Sequence, residues 1–306
     1  MDNITLKELN RKAYHIRYDM LRMCIKAKTG HVTSSFSCIE LLVALYYGGI
    51  LRHDPHNPSW KERDRLILSK GQASPALYAI LADCGYFPRR ELDKFAQVRG
   101  KFEVHLQRSV PGVEITCGSL GHGFGIAAGI ALGAKMNRDL FLTFAILGDG
   151  ECYEGSIWET AMFASHNRLN NLIAIVDRNH LCVTDFTENL IALEPMDKKW
   201  DSFGWEVKRI NGHSFEEIFE SLKNIRNRIS CKPLLIIADT TKGNGIDFMS
   251  DVPLWHGLAP TSEDGEKAYI ALSTMCQNCE KCIRKDIRKS YAIRNNKSKY
   301  AGENIT

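Results

Sequence analysis

The sequence predicts an α/β domain built on a mostly parallel sheet with helices on both faces. Short apolar runs alternate with amphipathic stretches of helical period, which is the order expected of strand–helix–strand units. Three runs, LTFAIL, LIAIV and LLIIA, are apolar except at Thr143 and too short for helices, as is typical of parallel strands buried on both faces. The apolar runs predict five strands, at 65–69, 142–147, 172–177, 205–210 and 234–239. No internal repeat or low-complexity linker divides the body, so residues 1–275 are expected to form one domain.

The helices follow from capping patterns and from helical periodicity. Ser37-x-x-Glu40 and Ser214-x-x-Glu217 have the spacing of capping boxes, and each is followed by apolar residues that share one helical face. A third helix is predicted over about 123–135, which is rich in alanine and glycine. Its glycines recur every four residues and should let a neighbouring element approach closely, at Gly125, Gly129 and Gly133.

Composition excludes several classes of protein. With 306 residues, of which 44% are apolar and 25% charged, the chain has the composition of a globular protein rather than of a collagen, a coiled coil or a disordered chain. It has no run of about 18 apolar residues, so no membrane partner is expected. The polar N-terminus lacks the apolar stretch of a secretory signal, and none is expected.

The net charge of +4 resides in the C-terminal tail. Residues 276–306 carry eight Lys and Arg against three acidic residues, a balance of +5, so residues 1–275 carry −1. A basic, polar tail of this kind is expected to be solvated and partly disordered. We do not predict nucleic-acid binding from it.

The ten cysteines indicate a reducing compartment, and a cytoplasmic location is expected. Seven of them are scattered through the body with no signal peptide in the sequence. The other three, Cys276, Cys279 and Cys282, form a C-x-x-C-x-x-C run in the tail. Three thiolates at this spacing could bind a metal, but a structural zinc site usually has a fourth ligand, and none lies close in the sequence. Chance cysteines in a helical tail are the alternative.

The residues that carry chemistry follow two of the predicted strands. LTFAIL leads into GDG at 148–150, and LIAIV ends in DRN at 177–179. If these strands are adjacent and parallel, Asp149 and Asn179 meet at the carboxyl edge of the sheet, where α/β proteins bind ligands. A carboxylate and an amide oxygen suit a hard cation such as Mg²⁺, which fills its remaining positions with phosphate oxygens and water. The pattern therefore predicts a metal-bridged diphosphate.

These motifs resemble the thiamine diphosphate signature of transketolases. The Asp of GDG is followed thirty residues later by Asn, with E-G-x-x-W-E between them, whereas a lone glycine-flanked Asp is usually a turn. The resemblance implies that Asp149, Asn179 and the backbone carbonyl of Leu181 hold Mg²⁺. It also implies that Glu154 acts in catalysis and faces the partner domain across the cofactor.

The resemblance extends from about residue 10 to residue 275. Gly-His at 30–31 resembles the family's N-terminal segment, G-S-L-G-H-G at 118–123 resembles the loop under the diphosphate, and T-T-K-G-N-G at 240–245 precedes W-H-G. It implies that three histidines contact substrate or cofactor and pass protons, namely His31, His105 and His256. It implies cofactor contacts at Gln72, Gly118, Ser119, Leu120, Gly148, Asp149, Gly150, Glu154, Asn179, Lys242 and His256. Four histidines match no motif and are expected on the surface or in the core, at His15, His53, His56 and His213.

Two positions depart from the family pattern. After Leu-Ser-x-Gly the family usually has His, and here Gln72 follows. Glutamine keeps an N–H donor but cannot carry a proton. Because hydrogen bonds to charged groups contribute about 1.5–3 kcal/mol, cofactor binding should survive, whereas proton transfer by this side chain should be lost. At His105 the flanking Val and Leu replace the usual Gly and Pro, so that loop is also in doubt.

The length implies that a partner chain completes the active site. In transketolases the glutamate that activates the cofactor lies in a second, pyrimidine-binding domain, and a third domain follows it. The sequence after Asp177 is accounted for by the end of the first domain and the tail. The resemblance therefore implies the N-terminal subunit of a split transketolase, with two copies of each chain. The implied reaction transfers a two-carbon ketol unit between sugar phosphates.

Three other functions remain open on the sequence. A deoxyxylulose-phosphate-synthase-like enzyme shares the GDG signature, although such enzymes are usually single long chains. A cofactor-binding subunit that has lost catalysis at Gln72 is the second. The third is a dinucleotide-binding dehydrogenase, which the glycines at 118–125 only weakly favour because they do not form G-x-G-x-x-G after a clear strand.

Overall fold

The computed structural model describes residues 5–275, and the cysteine run of the tail lies outside them. Between these limits the chain forms a five-stranded parallel sheet of order β1-β2-β3-β7-β6, and a separate two-stranded ribbon, β4-β5. The strands are β1 (Arg65–Leu68), β2 (Thr143–Gly148), β3 (Leu172–Arg178), β4 (Leu181–Cys182), β5 (Asp185–Phe186), β6 (Glu206–Asn211) and β7 (Leu234–Asp239). The predicted parallel sheet is confirmed, and the ends of its strands differ from the prediction by at most one residue.

The helices lie between and beyond these strands. In order they are α1 (Leu6–Ala27), α2 (Val32–Phe36), α3 (Ile39–Tyr47), α4 (Ser74–Cys84), α5 (His122–Asn137), α6 (Gly155–His166), α7 (Thr187–Leu190), α8 (Met196–Ser202), α9 (Phe215–Leu222) and α10 (Ser262–Met275). Short 3-10 turns occupy Gly71–Ala73, Arg89–Lys94, Gly150–Tyr153, Ile225–Asn227, Asp247–Met249 and Pro253–Trp255. None of the helices between residues 5 and 275 combines the length and the apolarity that a membrane crossing needs.

The core lies around the two central strands. Every residue of β2 and β3 is buried, as expected for parallel strands covered on both faces. The helix α5 packs on β1, β2 and β3 and against α6, while α1 packs with α3, α4 and α10. An aromatic cluster joins α5, α6 and α8 through Phe124, Trp158, Trp200 and Trp205, with ring centroids 5.1–5.9 Å apart. These layers hold the carboxyl ends of the strands in place.

The capping box predicted at Ser37 is wrong. The helix α3 begins after Cys38, and the Ser37 hydroxyl instead donates to Oδ2 of Asp177 at 2.6 Å. The carboxylate of Glu40 pairs with the guanidinium of Arg17. Buried charged partners therefore take both side chains that local spacing assigned to a helix end. At α9 the hydroxyl of Ser214 does accept the predicted hydrogen bond from its helix.

The glycine stripe of α5 does not receive a close neighbour within residues 5–275. A Cβ at Gly129 or Gly133 would meet nothing within 4 Å, and one at Gly125 would meet only Thr160 Oγ1, at 3.5 Å. The prediction of a close approach there is wrong for the described part of the chain. The close approach occurs at Gly123, where a Cβ would lie 2.6 Å from the Ser69 hydroxyl. The stripe instead contributes to an open face of α5.

Candidate functional site

A cavity of about 190 Å³ opens at the carboxyl ends of β1, β2, β3 and β7. Ligands of open α/β sheets bind at this edge. Twelve of the residues predicted for the site line this cavity, namely His31, Gln72, His105, Gly118, Leu120, Gly148, Asp149, Gly150, Asn179, Leu181, Lys242 and His256. The structure therefore brings together residues that are spread over more than two hundred positions of the chain.

Adjacent strands bring the predicted metal ligands together. β2 and β3 pair in parallel with Gly148 opposite Asp177, so Asp149 and Asn179 leave neighbouring strand ends on the same side of the sheet. The backbone then turns into β4, which brings Leu181 to the same cavity. The adjacency that the sequence argument assumed is thus present.

Asp149 is a buried carboxylate with three donors around it. Its Oδ1 accepts a hydrogen bond from the Gly150 N–H at 2.8 Å, and its Oδ2 accepts from the His180 N–H at 2.6 Å and from Arg178 Nη1 at 3.0 Å. Burial raises the pKa of Asp149, and the guanidinium of Arg178 opposes that effect. These contacts fix the direction in which the carboxylate faces.

Asn179 presents its amide oxygen as an acceptor. Its Nδ2 faces Oδ2 of Asp177 at 3.5 Å, while its Oδ1 accepts a hydrogen bond from the Leu181 N–H at 3.2 Å. A carboxylate, an amide oxygen and a backbone carbonyl form an all-oxygen donor set, which fits Mg²⁺ completed by phosphate and water. Within residues 5–275 no group of three His, Cys, Asp or Glu side chains could hold a metal. The residues present therefore fit a sparse Mg²⁺ site rather than a protein-enclosed transition-metal site.

The loop before α5 offers free backbone donors. No group between residues 5 and 275 accepts a hydrogen bond from the N–H of Gly118, Ser119 or Leu120, and the loop leads into the N-terminus of α5. Backbone N–H groups at the start of a helix are well placed to bind phosphate. The buried carboxylate of Glu151 secures this arrangement by accepting from the N–H groups of Gly121 at 2.8 Å and Gly148 at 3.1 Å.

Three histidine side chains cluster in the cavity. The ring of His31 lies 5.9 Å from that of His105 and 5.4 Å from that of His256, centroid to centroid. Burial lowers the pKa of His31 to about 4, and burial together with the charge of Lys242 lowers that of His256 to about 3. Both rings are therefore neutral at physiological pH. The buried Nδ1 of His31 has no hydrogen-bond partner among the described residues, as expected of a group that awaits a ligand.

Two buried lysines place positive charge beside the predicted diphosphate site. The ammonium of Lys70 forms an ion pair with Asp177 and donates to the Ser34 carbonyl at 2.9 Å. The amine of Lys242 lies 2.8 Å from His256 Nδ1. Burial, and then the charge of Lys70, lower the pKa of Lys242 to about 8. The site thus holds one firmly charged ammonium and one that titrates near neutrality.

Two predicted residues lie outside the cavity lining. The side chain of Glu154 is exposed at the start of α6, with its Cβ 3.0 Å from the position a Cβ would take on Gly121. Ser119 is also exposed, between Gly118 and Leu120, which do line the cavity. Their predicted roles stay predictions.

Sequence reasoning assigned no role to five residues that line the cavity, namely Ser34, Lys70, Glu151, Cys182 and Val183. Lys70 is the variable residue of Leu-Ser-x-Gly and Glu151 directly follows GDG, so both lie within three residues of a strand end and their position was a usable signal. Cys182 and Val183 follow Leu181 in the β4-β5 ribbon. This element is so short that no apolar run in the sequence predicts it.

Comparison with known proteins agrees with the fold. Residues 10–304 match the family described as transketolase, thiamine diphosphate binding domain, and the match continues past residue 275 into the segment that we predict to be a tail. Over 265 residues the chain is 38% identical to a subunit of the apulose-4-phosphate transketolase of Phocaeicola vulgatus, covering 87% of this chain and 94% of that protein. Over 266 residues it is 42% identical to a subunit of the 6-deoxy-6-sulfo-D-fructose transketolase of a Clostridium species, covering 87% and 96%.

The fold matches less than half of a longer protein. The crystal structure of the transketolase from Campylobacter jejuni superposes with a TM-score of 0.82 at 33% identity, covering 88% of this chain but 43% of that one. The chain likewise covers 45% of human transketolase, at 33% identity. The chain belongs to the transketolase family and spans less than half the length of these two members.

Proposed function

We propose that this chain is the diphosphate-binding subunit of a two-chain transketolase, which transfers a two-carbon ketol unit from a ketose to an aldose. The observation that carries the proposal is the meeting of Asp149, Asn179 and Leu181 with Lys242 and the histidine cluster in one cavity. The proposal is also supported by relatives named transketolase subunits, which this chain matches over almost their whole length.

Thiamine diphosphate and Mg²⁺ are the proposed cofactors. Asp149, Asn179 and the Leu181 carbonyl would hold the metal, and the N–H groups at 118–120 together with Lys242 would hold the diphosphate. When bound, thiamine diphosphate supplies the nucleophilic carbon that takes the ketol unit. Gln72 would donate a hydrogen bond from its side-chain amide at the edge of the same cavity.

The histidine cluster would bind sugar hydroxyl groups and move their protons. Burial lowers the pKa of His31, so its ring is neutral at physiological pH and can accept a hydrogen bond from a substrate hydroxyl. The ring of His256 is also neutral, and because its Nδ1 accepts from the Lys242 ammonium, its Nε2–H would donate to the substrate. His105 stands beside His31 and would orient the same part of the substrate. Phosphorylated sugars are the proposed substrates, with most of the phosphate contacts expected from the partner chain.

A separate chain carrying the pyrimidine-binding half is the proposed partner, in an assembly with two copies of each chain. An uncovered apolar face on the packed helices α5 and α6 supports this: Ile126, Met136, Met162 and Phe163 are 42–75% exposed. Large contiguous apolar surfaces of this kind mark sites of protein association. Glu154, at the start of α6, would then lie at the boundary between the two chains. A reducing, cytoplasmic location remains a prediction.

Co-expression with a chain carrying the pyrimidine-binding half, followed by a ketol-transfer assay, tests the proposal. The complex should convert a ketose phosphate and an aldose phosphate in the presence of thiamine diphosphate and Mg²⁺, and neither chain should do so without the other. Pyruvate plus glyceraldehyde phosphate, offered in parallel, separates ketol transfer from a deoxyxylulose-phosphate-synthase-like reaction. A complex that binds the cofactor but forms no donor adduct with any ketose would instead identify a cofactor-binding subunit impaired at Gln72.

A further inference from the structure

We infer that His213, held by Glu40 and Arg17, is a positioning residue that fixes the loop carrying Lys242. Lys242 lines the site described above, and its assignment to a diphosphate rests on the proposed function. His213 lines no part of that cavity and follows β6, which lies two strand positions from β3 and three from β2. It acts through the backbone of residues 240–245.

The imidazole of His213 bonds directly to that loop. Its Nε2 accepts a hydrogen bond from the Thr241 N–H at 2.8 Å. Because a backbone N–H can only donate, Nε2 is unprotonated and the ring proton resides on Nδ1. Nδ1 lies 3.0 Å from Glu40 Oε2, to which it donates, and the Asn244 amide approaches the same atom at 3.0 Å. A neutral ring thus connects a buried carboxylate to the residue before Lys242.

Glu40 is fixed by a buried guanidinium. Arg17 donates to both carboxylate oxygens, at 2.6 and 2.8 Å, and the two residues are 2% and 6% exposed. Burial alone would raise the pKa of Glu40, but the charge of Arg17 and the hydrogen bonds from His213 and Arg17 together lower it to about 2. Arg17 Nε also donates to the Asn244 carbonyl at 3.2 Å. The pair therefore holds the loop on both sides of Lys242.

The backbone around His213 is shaped for this contact. β6 and β7 are adjacent, with Asn211 opposite Asp239, so the turn after β6 packs on the loop after β7. A Cβ at Gly212 would lie 2.5 Å from Thr240 Cγ2, which means that the two segments can approach this closely only with glycine at this position. His213 follows at once, with its ring facing Thr241.

The position of Lys242 depends on this backbone. Lys242 is 2% exposed, and its amine lies 2.8 Å from His256 Nδ1. Because the side chain has little room to change conformation, a shift of the loop backbone also shifts its amine. Loss of the His213 hydrogen bond should therefore weaken the hold on a diphosphate although His213 does not contact it. A purely structural role would instead lower stability and leave diphosphate affinity unchanged.

Two substitutions separate the contacts of the ring. The amide oxygen of glutamine can take the place of Nε2, so His213→Gln keeps an acceptor for Thr241. Asparagine reaches only the position of Nδ1, so His213→Asn keeps the contact with Glu40 and loses the acceptor. The affinity of the full-length chain for inorganic diphosphate with Mg²⁺ is measured by calorimetry, and the protection of residues 240–245 is measured by hydrogen exchange.

His213→Asn should bind diphosphate about three- to tenfold more weakly than the wild type and exchange faster at 240–245. His213→Gln should match the wild type in both measurements. Equal affinities of the two variants, or faster exchange in His213→Asn with unchanged affinity, would overturn the inference. If the wild type itself binds no diphosphate, the proposed function fails. Hydrogen exchange then tests the contact between His213 and the loop by itself. Faster exchange at 240–245 in His213→Asn than in His213→Gln would support the contact, and equal exchange in the two variants would overturn it.

Discussion

Arg178 Nη1 donates a hydrogen bond to Oδ2 of Asp149 at 3.0 Å, so the predicted metal ligand already has a buried cation beside it. The guanidinium is fully buried and also donates to the Thr187 hydroxyl at 2.6 Å, to Glu188 at 2.8 Å and to Glu194 at 3.2 Å. It therefore ties the cavity to α7 and to the loop that follows. Arg178 is thus the buried cation that pairs with Asp149.

Removal of that side chain should destabilise the fold. Arg178→Met leaves Asp149 buried without its charged partner, and breaking a buried pair typically costs about 3–5 kcal/mol. Arg209→Met is the matched control, because Arg209 is half exposed and shares Glu194, and exposed pairs contribute about 0–1 kcal/mol. Urea denaturation measures both free energies of unfolding. Equal losses in the two variants would contradict a special role for Arg178.

Asp149→Asn should abolish Mg²⁺-dependent binding of thiamine diphosphate while leaving the fold intact. Asparagine keeps an acceptor for the His180 N–H and for Arg178 but lacks the charge that a metal ligand supplies here. Changes to groups that only orient a metal ligand typically cost 10–100-fold in metal affinity, so loss of the ligand charge should exceed about a hundredfold. Calorimetry with and without Mg²⁺ measures the effect, and circular dichroism checks the fold. Unchanged cofactor affinity would refute the metal assignment.

The sheet and the centre of the site could be predicted from sequence because both depend on short-range patterns. LTFAIL and LIAIV are apolar except at Thr143, and each run is closely followed by a residue that faces the cavity, Asp149 or Asn179. Parallel pairing then makes their meeting a consequence of topology.

Long-range partners could not be predicted, because they depend on the packed structure. Ser37 and Glu40 have the spacing of a capping box, but buried charges at Asp177 and Arg17 take both side chains. His213 matches no motif, since its partners Glu40 and Thr241 lie 173 and 28 residues away. Local spacing carries no information on such contacts.

Gln72→Ala should weaken cofactor binding only modestly. The side chain lines the cavity and can donate one hydrogen bond to a charged ligand, whose loss costs about 1.5–3 kcal/mol, or one to two decades of affinity. Gln97→Ala, at an exposed position away from the cavity, is the matched control and should change nothing. Calorimetry with thiamine diphosphate and Mg²⁺ compares the two variants. A loss much greater than a hundredfold would mean that Gln72 supports the site by more than a hydrogen bond.

The affinity for thiamine diphosphate should fall as pH rises through about 8. Burial lowers the pKa of Lys242 to about 8, so its ammonium is charged below that pH and becomes a neutral amine above it. Binding of an anionic diphosphate favours the charged form, so above this pH each bound ligand must draw in a proton. The dissociation constant should then rise by up to about tenfold per pH unit, until it reaches the pKa of Lys242 in the complex.

Lys242→Met provides the control for this pH dependence. Methionine has a similar shape and no titrating group, so the variant should bind more weakly below pH 8 and show no added loss above it. Titration of the ligand and of other groups is common to both proteins and cancels in the ratio of their dissociation constants. The ratio of the dissociation constant of Lys242→Met to that of the wild type, measured by calorimetry from about pH 6.5 to 9.5, should fall toward one as Lys242 loses its charge. A ratio that stays constant across this range would show that Lys242 does not hold the diphosphate through its charge.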